Sequence, residues 1–159
     1  MALRVSRVDA SPVTMSVQPL EWTIASDVMA IDPVVSGVIC LCDAAGFSAR
    51  HCRFNVPIAL TEALSNAIMC GNHNDVTRSV RVRSDVQFVS ERATLTIEIT
   101  DEGDGFDIET AGGTPDAIDW LEREEGRGIF LMRSLMDRVE CARKSGSPGN
   151  TVRLVLHRT

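Results

Sequence analysis

Apolar residues recur at helical spacing in three stretches of the chain, and this pattern predicts three helices. The first covers residues 33–45 and the second about 56–70; each has a proline near its start, where no internal hydrogen bond is lost. Gly71 and Asn72 are a typical helix end after the second. The third covers about residues 126–137 and begins at a glycine-rich turn.

Five other stretches alternate apolar and polar residues with period two, which predicts strands. They cover residues 17–24, 80–88, 95–99, 139–143 and 151–157. Three helices packed on one face of such a sheet give an α+β fold. We therefore expect a two-layer sandwich with a mixed, mainly antiparallel sheet.

The length predicts one domain, because 159 residues, 44% of them hydrophobic, can close one core and are few for two. Residues 1–15 lack a clear periodicity and are predicted to form a flexible N-terminal arm before a domain over 16–159. Residues 109–125 resemble a loop, and a loop of that length in a compact domain usually serves a function.

The charge and the apolar pattern exclude two classes of partner. A net charge of -6 disfavours direct nucleic-acid binding, which needs clustered basic residues. The sequence contains neither a run of roughly 20 apolar residues, the length that spans a bilayer, nor a secretory signal, which favours a cytoplasmic protein. Because Lys144 is the only lysine, a charged contact to a phosphate is expected from an arginine.

The five cysteines are predicted to be free thiols, as expected in a reducing compartment. A zinc site formed by Cys40, Cys42 and Cys52 with His51 is the alternative. The spacing of these residues lacks the second ligand pair that structural zinc sites have, so buried or free thiols are the favoured interpretation.

Glu62 and Asn66 are four residues apart on the second predicted helix, so their side chains emerge on one face. A carboxylate can accept a proton from a hydroxyl, and a carboxamide oxygen is a hard ligand suited to magnesium. Taken alone, such a pair is more often a solvated helix surface than a site.

The segment Asp101-x-Gly103-x-Gly105 follows a predicted strand and precedes the long loop. An aspartate at this place can accept a hydrogen bond from an exocyclic amine such as that of adenine. The glycines allow the backbone to approach a flat ring closely. An ordinary acidic turn is an equally good interpretation of this segment by itself.

Gly126-Arg127-Gly128 begins the third predicted helix, where unpaired N–H groups and the helix dipole favour a phosphate. Arg127 and Arg123 can add charged contacts from the loop. No G-x-x-x-x-G-K-[ST] segment occurs, so a P-loop is excluded.

The order of these three motifs resembles that of the GHKL superfamily, whose ATP-binding domain is the Bergerat fold. Glu62 to Ala67 resembles its N box, Asp101 to Phe106 its G1 box, and Glu125 to Met132 its G2 box. The resemblance extends over roughly residues 17–157 and is closest to the anti-sigma-factor serine kinases, whose sequence after the G2 box is similar to residues 128–137.

The resemblance implies ATP and Mg²⁺ as ligands and assigns roles to individual residues. Glu62 corresponds to the catalytic base, Asn66 to the magnesium ligand and Asp101 to the residue that recognises adenine, and Thr151 is expected close to Asp101. Further nucleotide contacts are expected from Gly103, Gly105, Phe106, Arg123, Gly126, Arg127, Gly128 and Ile129. Residues 107–125 are expected to close over the nucleotide as a lid.

The implied function is that of a serine protein kinase that acts as an anti-sigma factor. Its implied partners are a STAS-type anti-anti-sigma antagonist, which is phosphorylated, and a sigma factor; a homodimer is also implied. Two alternatives remain. One is an ATP-gated binding protein with weak catalysis, favoured by Cys70 where many relatives carry a histidine. The other is a detached ATP-binding domain of a split histidine kinase.

Overall fold

The computed structural model describes residues 14–104, 127–143 and 148–158. Its helices are α1 (Ile31–Ala44), α2 (Val56–Ser65) and α3 (Arg127–Leu135). A 3₁₀ turn, Val28–Ala30, precedes α1, and π-helical turns His51–Asn55 and Asn66–Gly71 flank α2. The strands are β1 (Thr14–Ser16), β2 (Leu20–Ala25), β3 (Ser79–Val89), β4 (Arg92–Thr100), β5 (Arg138–Arg143) and β6 (Asn150–His157).

The strands form one sheet in the order β1-β3-β4-β6-β5, and β2 pairs with the same long strand β3 as β1 does. β1 and β2 pair with different parts of β3: Met15 of β1 is opposite Phe88 near the end of β3, and Trp22 of β2 is opposite Val82 near its beginning. Every pairing among the described strands is antiparallel. This confirms the predicted α+β sandwich with its mainly antiparallel sheet.

The core lies between the helices and one face of the sheet. In β4 the alternate residues Leu95, Ile97 and Ile99 point into it and are at most 1% exposed. They belong to the same core cluster as Leu60 and Leu64 of α2, which are fully buried. Burial of a Leu or Ile side chain contributes about 1.5–3 kcal/mol, so this shared face fixes where the helices sit on the sheet.

The predicted elements are all present in the described part of the chain, with their ends shifted by a few residues. The predicted strand over 17–24 is found as β2, and the short strand β1 before it was not predicted. The predicted arm over residues 1–15 mostly lies outside the described residues, and its last two, Thr14 and Met15, belong to β1. The predicted loop over 109–125 also lies outside them.

The open face of the sheet is polar. Across five neighbouring strands, Arg83 is opposite Glu21 and Glu98, and Arg153 is opposite Glu98 and Glu140, so charges of opposite sign alternate. The ion pairs within this row are exposed, with N···O distances of 3.5–3.9 Å. Exposed pairs contribute little to stability, and the row mainly keeps this face solvated.

Candidate active site

Glu62 and Asn66 lie where α2 meets the beginning of α3. A Cβ atom added to Gly128 would stand 2.5 Å from Glu62 Oε2 and 3.6 Å from Asn66 Nδ2. At the other end of the pair, Asn55 Nδ2 donates a hydrogen bond to the Leu135 carbonyl at 2.7 Å. The two helices are therefore antiparallel neighbours, and both predicted side chains reach the N-terminal turn of α3.

Asp101 lies directly after β4 and is only 4% exposed. Its Oδ1 accepts hydrogen bonds from the backbone N–H groups of Gly103, at 2.9 Å, and Asn150, at 3.1 Å. Its Oδ2 lies against Gly71, so closely that a Cβ atom on Gly71 would overlap it. The carboxylate is thus held by the turn that follows it, by β6 and by the end of the α2 helical segment.

Gly71 connects the two groups of residues. It ends the π-helical turn that begins with Asn66, and a Cβ atom on Gly103 would overlap its carbonyl group. One helical turn therefore leads from Asn66 to the contact with Asp101. The continuous helical segment from α2 to Gly71 therefore contacts the beginning of α3 at Glu62 and Asn66, and it contacts Asp101 at Gly71.

Residues 24–156 match the family model of the histidine kinase-like ATPase domain. This chain belongs to that family. The match covers all three motifs and every described element except β1, most of β2 and the last residue of β6.

Curated relatives of this ATPase domain give a finer comparison. The chain is 34% identical over 95 residues to the serine-protein kinase RsbW of Staphylococcus aureus strains JH9 and Newman, and 35% identical to that of strain bovine RF122/ET3-1. Each alignment covers 56% of this chain and 57% of the relative. The chain thus matches little more than half the length of these relatives.

The residues present fit the ligands that the ATPase family implies, ATP and magnesium. Glu62 and Asn66 are only partly buried and offer a carboxylate and a carboxamide oxygen, which are hard ligands. Beside them, the first N–H groups of α3 have no acceptor within the helix, and Arg127 is exposed at the same end. This combination suits a metal-bound polyphosphate.

Four of the predicted contact residues, Gly105, Phe106, Arg123 and Gly126, lie outside the described residues, as does the predicted lid. Ile129 is 3% exposed and belongs to the apolar core.

Thr151 was predicted close to Asp101, but the neighbouring Asn150 takes that place. Thr151 Oγ1 lies 2.9 Å from Thr100 Oγ1, and Thr100 lines a shallow groove on the open face of the sheet. Side chains alternate between faces along a strand, so the Asn150 side chain points to the helical side, where its Nδ2 donates to Asp101 Oδ1 at 3.4 Å, beside the bond from its backbone N–H. The Asp101 carboxylate thus bonds the carboxamide of Asn150, and the Thr151 hydroxyl bonds Thr100, the residue before Asp101.

Asn72 is a second residue that the motif analysis missed. Its side chain is completely buried and makes three hydrogen bonds: Oδ1 accepts from the Glu102 N–H at 2.8 Å, and Nδ2 donates to Ser26 Oγ at 2.8 Å and to the Ser79 carbonyl at 2.9 Å. The sequence offered only its position after Gly71 as a signal, and that position indicated a helix end.

The cysteines have no part in a metal centre among the described residues, where no group of three suitable ligands is brought together. Cys42 and Cys52 are buried, and their sulfur atoms lie 3.4 Å apart. Burial, together with the sulfur–sulfur hydrogen bond that Cys42 shares with Cys52, raises the pKa of Cys42 well above its usual range. Burial also raises the pKa of Cys141 to about 11, although Arg133 opposes this.

None of the described helices is long and apolar enough to cross a bilayer.

Proposed function

We propose that this chain is an ATP-dependent serine protein kinase that acts as an anti-sigma factor. Its protein substrate is a serine of an anti-anti-sigma antagonist with a STAS-type domain, and its second partner is a sigma factor. The observation that carries the proposal is the contact of Glu62 and Asn66 with the first turn of α3, with Asp101 one helical turn away. The relatives named serine-protein kinase support the choice of hydroxyl acceptor.

In this proposal Glu62 is the general base. Its carboxylate accepts the proton that the serine hydroxyl loses as the serine oxygen bonds to the γ-phosphorus and ADP departs. Glu62 suits this role because its Oε2 lies beside the α3 terminus, the expected place of the terminal phosphates, while its side chain remains partly accessible to a partner.

Asn66 and the α3 terminus hold the phosphate end of the nucleotide. Asn66 contributes the magnesium ligand, and the N–H groups of α3 with Arg127 bind phosphate oxygens. Magnesium, when bound, neutralises the phosphate charge. Asp101 holds the adenine end by accepting a hydrogen bond from the exocyclic amine, and its burial excludes water that would compete for that bond.

The test is transfer of labelled phosphate from ATP to purified STAS-type antagonist proteins. Wild-type protein should phosphorylate one of them on serine, and Glu62→Gln should lose transfer while it still binds ATP. Glu98→Gln is the matched control, because Glu98 is an exposed carboxylate on the open face of the sheet, paired with Arg153 at 3.7 Å. This control should keep both activities.

The outcomes separate the proposal from its two alternatives. If wild-type protein binds ATP and the antagonist but transfers no phosphate, it is an ATP-gated binding protein. If the phosphorylated product is labile in acid, the acceptor is histidine and the chain belongs to a split histidine kinase. Equal transfer by Glu62→Gln and wild type would remove Glu62 from the role of base.

A further inference from the structure

We infer that Asn72 is a positioning residue that fixes the magnesium ligand Asn66 relative to Asp101, the residue assigned to adenine. This inference rests on the proposed function. It begins from the place of Asn72 in the chain. The Asn72 N–H donates to the Ala67 carbonyl at 2.8 Å, so its backbone closes the π-helical turn that begins with Asn66.

The side chain of Asn72 extends this helical segment to the segment that contains Asp101. Its Oδ1 accepts from the N–H of Glu102, the residue directly after Asp101, at 2.8 Å. Asn72 therefore joins the backbone of the π-helical turn Asn66–Gly71 to the backbone of the segment that contains Asp101 and Glu102. The overlap that a Cβ atom on Gly103 would make with the Gly71 carbonyl shows how closely these two backbones approach.

The amide nitrogen of Asn72 connects these two segments to the sheet. Nδ2 donates to Ser26 Oγ and to the Ser79 carbonyl, which lie at the end of β2 and the beginning of β3. Ser26 Oγ in turn donates to the Arg78 carbonyl at 2.9 Å. The Ser79 N–H also donates to Glu102 Oε2 at 2.7 Å, so Asn72, Glu102 and Ser79 are each hydrogen-bonded to the other two.

A carboxamide is the side chain that meets these demands together. It presents one acceptor to an N–H group and two donors to a carbonyl and a hydroxyl, whereas a carboxylate has no donors and an alkyl group has neither. Because Asn72 is fully buried, water cannot replace a lost bond without entering the core. Loss of the side chain therefore frees the Asp101 segment to move relative to Asn66.

The experiment compares ATP affinity with Mg²⁺ and with EDTA, by calorimetry on the full chain. The ratio of these two affinities reports whether one ATP molecule engages Asn66 and Asp101 at once. In Asn72→Ala we expect the ratio to fall about 10- to 100-fold, the range seen when a group that orients a metal ligand is removed. Binding of ATP in EDTA should change much less.

Two variants separate positioning from lost stability. Asn55→Ala removes a different asparagine, which precedes α2 and donates a hydrogen bond to the carbonyl of Leu135 at the end of α3. This contact is at the end of α2 that lies away from Asn66. The substitution should lower the melting temperature and leave the affinity ratio as in wild type. If Asn72→Ala does not fold, Ser26→Ala takes its place: it removes one partner of Asn72 Nδ2 and keeps the Asn72 side chain, so the ratio should fall by less but in the same direction.

The inference and the proposed function fail in different ways. A folded Asn72→Ala protein with the wild-type affinity ratio overturns the inference alone, as does an equal loss of the ratio in Asn55→Ala. A wild-type protein whose ATP affinity is independent of Mg²⁺ overturns the proposed nucleotide site itself.

Discussion

Replacement of Gly128 by alanine should impair phosphoryl transfer without unfolding the protein. The new Cβ atom would stand 2.5 Å from Glu62 Oε2. A carbon–oxygen contact relaxes only beyond roughly 3.4 Å, so the carboxylate must retreat by about 0.9 Å. Misplacement of a catalytic group by about 1 Å can cost on the order of 100-fold in rate, and that is the expected loss.

The stability of the same variant should change little, because two effects oppose each other. Alanine is more favourable than glycine in a helix by up to about 1 kcal/mol. The clash is with the end of a flexible, partly exposed side chain, which can rotate away. When both are measured on the same preparation, the melting temperature should therefore stay near the wild-type value while the rate of phosphotransfer falls.

Gly37→Ala in α1 is the matched control. Its Cβ atom would stand 2.6 Å from Trp22 Cζ2, nearly the same approach, but against a rigid ring that is not part of the candidate site. Overpacking of this kind typically costs about 1–3 kcal/mol, so this variant should lose stability and keep its transfer rate. If Gly128→Ala transfers phosphate at the wild-type rate, Glu62 is not the base at this position.

Three further outcomes are expected. Asp101→Asn should weaken ATP binding by about 1.5–3 kcal/mol and reduce discrimination against GTP in calorimetry, and unchanged affinity would exclude Asp101 from the adenine pocket. Asn66→Ala should abolish the magnesium dependence of ATP binding; a surviving dependence would assign the ligand elsewhere. Because its raised pKa keeps Cys42 protonated at pH 8, iodoacetamide should modify the exposed Cys40 and spare Cys42 until denaturant is added, and equal labelling would contradict its burial.

The helices and strands could be predicted from the sequence because each buries one face against a common core. The alternation of Leu95, Ile97 and Ile99 and the helical stripe through Leu60 and Leu64 are local patterns, and both are found as predicted. The order of the motifs likewise predicted that Glu62 and Asp101 lie near each other. In the structure, Glu62 lies against Gly128, and Asp101 lies against Gly71 at the end of the same helical segment.

Two features depended on contacts that no local pattern records. The exchange of Thr151 for Asn150 follows from strand register, since a shift of one residue moves a side chain to the other face of the sheet. The burial of Asn72 follows from the meeting of three segments distant in sequence. The π-helical turn after Asn66 also alters the spacing beyond it, so a simple helical pattern does not place Cys70.

The proposed nucleotide site is a single site formed by segments that are distant in the chain. The direct measurement is a titration of isotopically labelled protein with ATP and Mg²⁺, followed by amide chemical shifts. The amides of Asn66, Gly71, Gly103 and Gly128 should all shift and give the same dissociation constant. Shifts confined to one of these segments, or different dissociation constants for the α2 segment and for Gly103, would contradict a single site.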